Sequence, residues 1–395
     1  MKVLKNSRCQ VVGRITRFDE RDNVQARYEL EPDSPEWKEY YGMHPEWENR
    51  DREIQKLPGI GMVGRPWDLP MLMQEVGLAL HYGRDDQVNS GLIAPLKQEI
   101  NPERAAQKIK GFARHLGADL VRIGPLNPAH VYTHIGKAKY YPDRKRGEPI
   151  ELNHGHAISL AMGINPDLVK TGPVLAEIVE VLRVYGRLAQ ISVMVAGYIR
   201  MLGYPARAHN LFNYQVLCIP LAIDAGMGEL SRMGIMITRE LGPSLKLAIV
   251  TTDLPLAHDS PVDIGVEEFC RDCKICAETC PSGAVPHGGP VVDRGVKKWK
   301  INAQACFTVW NETGTDCGVC IASCPWTKHR TPFHKLATEI ASRKMKAGWW
   351  MSRAQKIVYG TFKPRPSPPW FERPDLSLLK KYKRLFHAKI EEGKY

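Results

Sequence analysis

Residues 270–281 read CRDCKICAETCP, and residues 306–325 read CFTVWNETGTDCGVCIASCP. These two stretches hold eight of the ten cysteines in 395 residues. The first set, Cys270, Cys273, Cys276 and Cys280, is spaced C-x2-C-x2-C-x3-C-P, and the second, Cys306, Cys317, Cys320 and Cys324, C-x10-C-x2-C-x3-C-P. Spacers of two residues aim consecutive thiolates at neighbouring corners of one iron–sulfur cube, and the cysteine before the proline reaches the other cube. The expected ligand sets are therefore Cys270, Cys273, Cys276 and Cys324 for one 4Fe–4S cluster, and Cys280, Cys306, Cys317 and Cys320 for a second. Structural zinc is the plain alternative. It usually takes separated C-x2-C pairs, which two proline-terminated quartets do not resemble. Disulfides are excluded if the thiolates are committed to iron. Such a module moves single electrons, and the rest of the chain must supply their destination.

Working outward, 43% hydrophobic and 25% charged residues describe an ordinary globular chain, long enough for two or three compact units. The net charge of +12 favours an acidic partner, an anionic membrane surface or nucleic acid without choosing among them. No apolar run reaches the roughly 18 residues of a membrane span; LAQISVMVAGYIRML at 188–202 is interrupted by Arg200. The first residues show no signal-peptide pattern. The expectation is a cytoplasmic protein, or one whose export signal has been removed.

Taken in order, residues 1–100 lack sustained periodicity and are expected to form an irregular wrapping segment, with one helix and a loop from Gln74. Gly59-x-Gly61-x-x-Gly64 matches a dinucleotide fingerprint formally, but no buried strand precedes it and Arg65-Pro66 follows where a helix should open. A core is expected over 101–262. It opens with a helix capped by Asn101-Pro102 and ending at Gly117, then a strand over 119–124. Residues 125–170 are expected as a surface insertion, with Asp143–Gly147 a solvated face. A long apolar helix follows from Gly172 to about Tyr204, with a kink at Gly186. Strands are expected at 214–219, 233–238 and 244–250, with helix or tight loop between the first two. The two-cluster module occupies 263–330. A helix at 331–346 and a basic helical tail belong to a C-terminal segment, 331–395, packing back on the core. The class is α+β.

This order, together with several strings, resembles the corrinoid-dependent reductive dehalogenases. RITRFDERDNVQAR at 14–27 is similar to the family's mature N-terminal signature. IPLAIDAGMGELSRMGIMITRELGPSLKLAIVTTDLPL at 219–256 resembles the segment before its clusters, and PVDIGVEEFCRDCKICAETCPSGAV at 261–285 the entry into the first. CGVCIASCPWTK fits the second motif. The resemblance implies a nitroreductase-like core holding a base-off corrinoid (of cobalamin type), reduced through a ferredoxin-like module of two 4Fe–4S clusters. The substrate is a small organohalide. By position, Tyr185 is the implied proton donor, Lys246 its basic partner, and Asn213 the asparagine facing the halide. The cluster built on Cys270 would face the corrinoid, and the one with Cys306 and Cys317 would take electrons from an external donor. An integral-membrane anchor protein and a homodimer are the implied partners, without nucleic acid. The place is the outer face of the cytoplasmic membrane if an export signal was removed.

Read from the residues alone, Tyr185 is a core tyrosine in an apolar helix. Lys246 shares a strand face with Ala248 and Val250, and is either snorkelling from an edge or buried and paired. A buried lysine beside a tyrosine favours tyrosinate, which suits a residue that gives up a proton. Asn213 in HNLFNYQ reads equally as a turn residue. The chain has no Asp-x-His-x-x-Gly cobalt-ligand loop; Tyr132-Thr133-His134-Ile135-Gly136 is the nearest string. The nine tryptophans can line a halocarbon pocket or serve as ordinary core. Two other functions compete. An epoxyqueuosine reductase-like enzyme would share the corrinoid core and clusters and act on tRNA, using an aspartate as its acid. A plain ferredoxin would need only about 60 of these residues.

Overall fold

The structure, a computed structural model, describes residues 10–60, 68–327, 336 and 347–371. Gly61, Gly64, the helix expected at 331–346 (Leu336 apart) and the basic tail lie outside the described residues.

The N-terminal segment is largely helical, not irregular. After a short strand β1 (Gln10–Val11) come α1 (Val24–Tyr28), α2 (Pro35–Met43), α3 (Pro45–Gln55), α4 (Asp68–Gly83) and α5 (Asp85–Val88). Local caps set the starts. The Asn23 and Ser34 side chains accept the backbone N–H of Gln25 and Trp37, and Pro35 and Pro45 occupy first-turn positions. The first three helices are too short to show a periodic apolar face. They are held by a private cluster of Leu30, Trp37, Tyr40 and Tyr41 and by polar staples. Arg27 forms a buried ion pair with Asp51 at 2.7 Å. Arg17 donates to the carbonyls of Val131 and Tyr132.

Next come α6 (Pro102–His115), β2 (Leu120–Pro125) and β3 (His156–Gly163), followed by α7 (Pro166–Val169), α8 (Leu175–Met201) and β4 (Ala206–His209). The core closes with α9 (Cys218–Asp224), β5 (Glu229–Leu230), β6 (Met236–Ile237) and β7 (Leu245–Thr252). The main sheet is antiparallel in the order β2-β3-β7-β4. Residues 125–170 are therefore no surface insertion, because β3 is one of the two inner strands. Ala157, Ile158, Leu160 and Ala161 are fully buried. A strand covered on both faces loses the polar alternation that marks strands in sequence. Arg146 is not a solvated charge either: its guanidinium donates to the carbonyls of Ala26 and Gly136, fastening the N-terminal segment.

α8 runs unbroken through Gly186. A Cβ there would lie 3.0 Å from Leu78, so the glycine admits α4 rather than kinking α8. Val184, Leu188, Val195 and Ile199 are fully buried beneath the sheet, each contributing about 1.5–3 kcal/mol of hydrophobic stabilisation. The strand expected at 214–219 is instead an extended piece bridging Val131 through Val216, then the first turn of α9. Pro220 lacks the N–H a strand ladder would use and fits the first turn of a helix.

The cysteine-rich unit consists of α10 (Val266–Asp272), α11 (Ile275–Glu278), the ribbon β8 (Val291–Asp293) and β9 (Val296–Lys298), α12 (Ala303–Thr313) and α13 (Val319–Ser323). β1 completes the ribbon by pairing with β9. α14 (Ala347–Tyr359) packs on α10. The architecture is α+β, as expected.

Candidate active site

β7 carries Lys246 on the face turned to α8, which carries Tyr185. Opposite Lys246 in the ladder stands Met162 of β3, while β4 pairs only from Ile249 onward. The lysine thus lies on an inner strand where the sheet is open on one side. Its Nζ lies 5.1 Å from the centroid of the Tyr185 ring and 3.8 Å from Asp316 Oδ2. Both side chains line a cavity of about 330 Å³. The structure therefore brings Tyr185 and Lys246 together at one cavity.

Burial raises the Tyr185 pKa above the ordinary 10.0, and Lys246 works against that rise. For Lys246, burial works downward. The acidic groups of Tyr185, Asp316, Glu177 and Cys320 outweigh it and hold the amine above its ordinary value, charged. Glu177 of α8 lies behind Asp316 and is 1% exposed. Burial first, and Asp316 second, push its pKa well above the usual carboxylate range. Sequence reading missed both carboxylates. Asp316 directly precedes Cys317, but nothing in the sequence links Glu177 to either.

Asn213 is not brought to this cavity. It is fully buried; its amide oxygen accepts from Arg207 at 2.6 Å, and its nitrogen faces Asp85 at 3.4 Å. Its neighbour Tyr214 lines the cavity instead, with Tyr132 and Cys218. Among the described residues, no tryptophan lines the cavity. Part of the wall comes from the N-terminal segment. Glu20, Asn23 and Gln25 line it beside Lys137, whose Nζ donates to Gln25 Oε1 at 3.0 Å. The Glu20 carboxylate accepts the backbone N–H of Gly136 and Lys137. The 14–27 string therefore acts partly as a staple and partly as cavity wall.

The eight cysteines of the two quartets carry free thiols, and six of them are buried. Burial pushes the Cys273 thiol up to about 11 and the Cys270 thiol to about 12. Ionised sulfurs here need a cation, which iron supplies. Among the described residues, no three His, Cys, Asp or Glu side chains converge closely enough for a single metal ion. The all-sulfur donor set of each quartet suits an iron–sulfur cube. Arg232, buried and unforeseen from sequence, donates to the carbonyls of Cys270, Arg271, Pro286 and Gly288 and frames the first quartet. Ile321 of α13, between Cys320 and Cys324 in the chain, lines the cavity.

The 4Fe-4S dicluster domain family matches residues 269–328, which contain all eight cysteines. Tetrachloroethene reductive dehalogenase of Dehalobacter restrictus is 31% identical over 285 residues, 60% of this chain and 51% of that protein. A reductive dehalogenase whose structure suggests a mechanism for B12-dependent dehalogenation superposes with a TM-score of 0.71 at 24% identity, over 91% of this chain and 49% of the other. Epoxyqueuosine reductase of Pseudomonas aeruginosa is 24% identical over 274 residues, 59% of this chain and 71% of that protein. The chain spans about half the length of the reductive dehalogenases it matches. In fold, and in sequence over 60% of its length, it is similar to the reductive dehalogenases, as the cysteine quartets and the 219–256 stretch led us to expect.

Proposed function

We propose that this chain is a reductive dehalogenase, an oxidoreductase that converts a small organohalide, R–X, with two electrons and one proton into R–H and halide. The observation that carries the reading is the Lys246 ammonium over the Tyr185 ring, in a mostly apolar cavity bounded by the helix between Cys320 and Cys324. Tyr185 holds the proton at Oη. The charge left on Oη when it is given up is stabilised by Lys246, which Asp316 keeps in place. Apolar side chains such as Val216, Leu217, Met236 and Leu247 exclude water and suit both a halocarbon and the face of a corrin ring. Asn23, Gln25 and Lys137 offer hydrogen bonds to the amides at a corrin's edge. The corrinoid of this reading is base-off. A bound corrinoid would supply the low-valent cobalt that attacks the carbon–halogen bond. Two 4Fe–4S clusters, on Cys270, Cys273, Cys276 and Cys324 and on Cys280, Cys306, Cys317 and Cys320, would deliver electrons from an external donor. A membrane-anchor partner belongs to the same reading; among the described residues no helix is long and apolar enough to cross a membrane.

The test is anaerobic reconstitution followed by halide release with a reduced viologen. The expected protein carries about eight irons and about one cobalt. Tyr185→Phe should lower kcat by at least about a hundredfold with metal content unchanged. Full halide release by that variant removes Tyr185 from the mechanism. Release from no organohalide, together with activity on queuosine-precursor tRNA, moves the chain to the epoxyqueuosine reductase reaction.

A further inference from the structure

α13 has a cavity on each side. Ile321 lines the one that holds Tyr185 and Lys246, while Ala322 and Ser323 lie on the floor of a second, a groove of about 450 Å³ open to solvent. The rest of that floor is Ile275 and Thr279 of the α11 region, closed to α13 by a hydrogen bond between the Thr279 and Ser323 hydroxyls at 2.9 Å. Three of these four floor positions adjoin a ligand cysteine in the chain: Ile275 precedes Cys276, Thr279 precedes Cys280 and Ser323 precedes Cys324.

The walls carry a strong charge bias. They are the end of α14 and the strap 360–365, with Lys356, Lys363 and Arg365, plus Lys170 from the end of α7; the acidic wall residue is Glu278. Lys356 pairs with Glu278 at 2.8 Å and Arg365 with Asp167 at 2.9 Å, both at the surface. Counting Asp167 and Glu278 against Lys170, Lys356, Lys363 and Arg365, the mouth keeps a net positive charge. Beside it, α14 exposes Trp350, Ile357 and Val358 at 68%, 85% and 69%. Gln355 on its inner side donates to the Ser323 carbonyl at 2.6 Å, so this helix is fixed to the cluster-bearing α13. An apolar patch beside a net positive rim is what a transient, electrostatically steered protein partner meets.

We propose that this groove and the adjoining face of α14 are the electron-entry surface, and that the occupant is a small acidic one-electron carrier protein. One electron leaves the carrier, which is oxidised by one unit, and enters a 4Fe–4S cluster of this chain, which is reduced by one unit; no bond or proton moves. Two such encounters supply the two electrons of one dehalogenation. The inference rests on the cluster reading above and adds the place and chemistry of the donor.

The experiment uses the full reconstituted chain and a reduced, acidic plant-type ferredoxin as probe. The rate at which this chain's cluster absorbance bleaches is followed against salt. The wild-type rate should fall steeply with ionic strength. Lys356→Glu combined with Lys363→Glu should slow it by about tenfold or more and flatten the salt dependence. Reduction by dithionite and iron content should stay as in wild type. Should the double variant lose iron, Lys363→Gln alone, at an exposed position, is expected to give a smaller loss of the same kind. A charge-reversed protein reduced as fast as wild type overturns the proposal. So does one that keeps its ferredoxin rate but no longer binds phosphatidylserine vesicles, since the face then meets a membrane. Failure of the chain to take up iron at all would instead defeat the cluster reading beneath it.

Discussion

Lys246 and Asn213 behave oppositely, although the same resemblance pointed to both. Lys246 reaches its tyrosine because β7 lacks a second neighbour at that level. Its removal should leave Tyr185 without its counter-charge. The acid form of Tyr185 is the active one, and burial already holds its pKa above 10.0. The alkaline loss of halide release should therefore begin above pH 10 in the wild type. In Lys246→Met the one opposing influence is gone, so that limb moves to still higher pH, while kcat near neutrality drops about ten- to a hundredfold. A limb that moves to lower pH would contradict the assignment. Asn213 is a hydrogen-bonding strut between Arg207 and Asp85. Asn213→Ala should cost about 1–3 kcal/mol in urea unfolding, because the buried Arg207 loses an acceptor, with KM for the organohalide unchanged. Unchanged stability with lost turnover would return Asn213 to the chemistry.

At the scale of elements, α13 is the most constrained. Gly318 opens it with φ +63°, and a Cβ there would stand 2.7 Å from Glu177 Oε1. Gly318→Ala combines left-handed strain with a clash against a buried carboxyl, so a loss of about 2 kcal/mol or more is expected. Because Cys317 and Cys320 flank the position, reconstituted iron should fall from about eight towards about four, measurable by iron assay beside the unfolding midpoint. Full iron with native stability would show that α13 has slack. The elements that sequence identified well, α6, β2, α8 and β7, carry caps or long apolar periods. β3 was taken for an insertion because burial on both faces erases the period of two. α1 to α3 escaped notice because three turns or fewer give no face to read, and their tertiary cluster does the holding.

Across the whole molecule, Asp51 joins parts that are distant in sequence. It accepts from Arg27 and from Tyr41 within the N-terminal segment, and from Gln304 of α12 in the cysteine-rich unit. Arg27→Ala would leave that carboxylate buried and unpaired beside neutral donors only, so we expect a loss of about 3–5 kcal/mol. The loss should come as a shift in one cooperative denaturation transition followed by both circular dichroism and cluster absorbance. Two separated transitions would show that the segment is not coupled to the clusters.

By itself, the sequence determined the chemistry that spacing encodes. Eight cysteines in two proline-terminated quartets specify where thiolates can point, because two- and three-residue spacers leave the backbone few alternatives. It also supplied Tyr185 and Lys246 as candidates. Only the tertiary structure decided that these two meet, that Asp316 and Glu177 stand behind them, and that Asn213 turns away to Arg207. Such approaches depend on strand register and on how α8 lies across β7. Those are set by the packing of side chains far apart in the chain, and no local pattern records them.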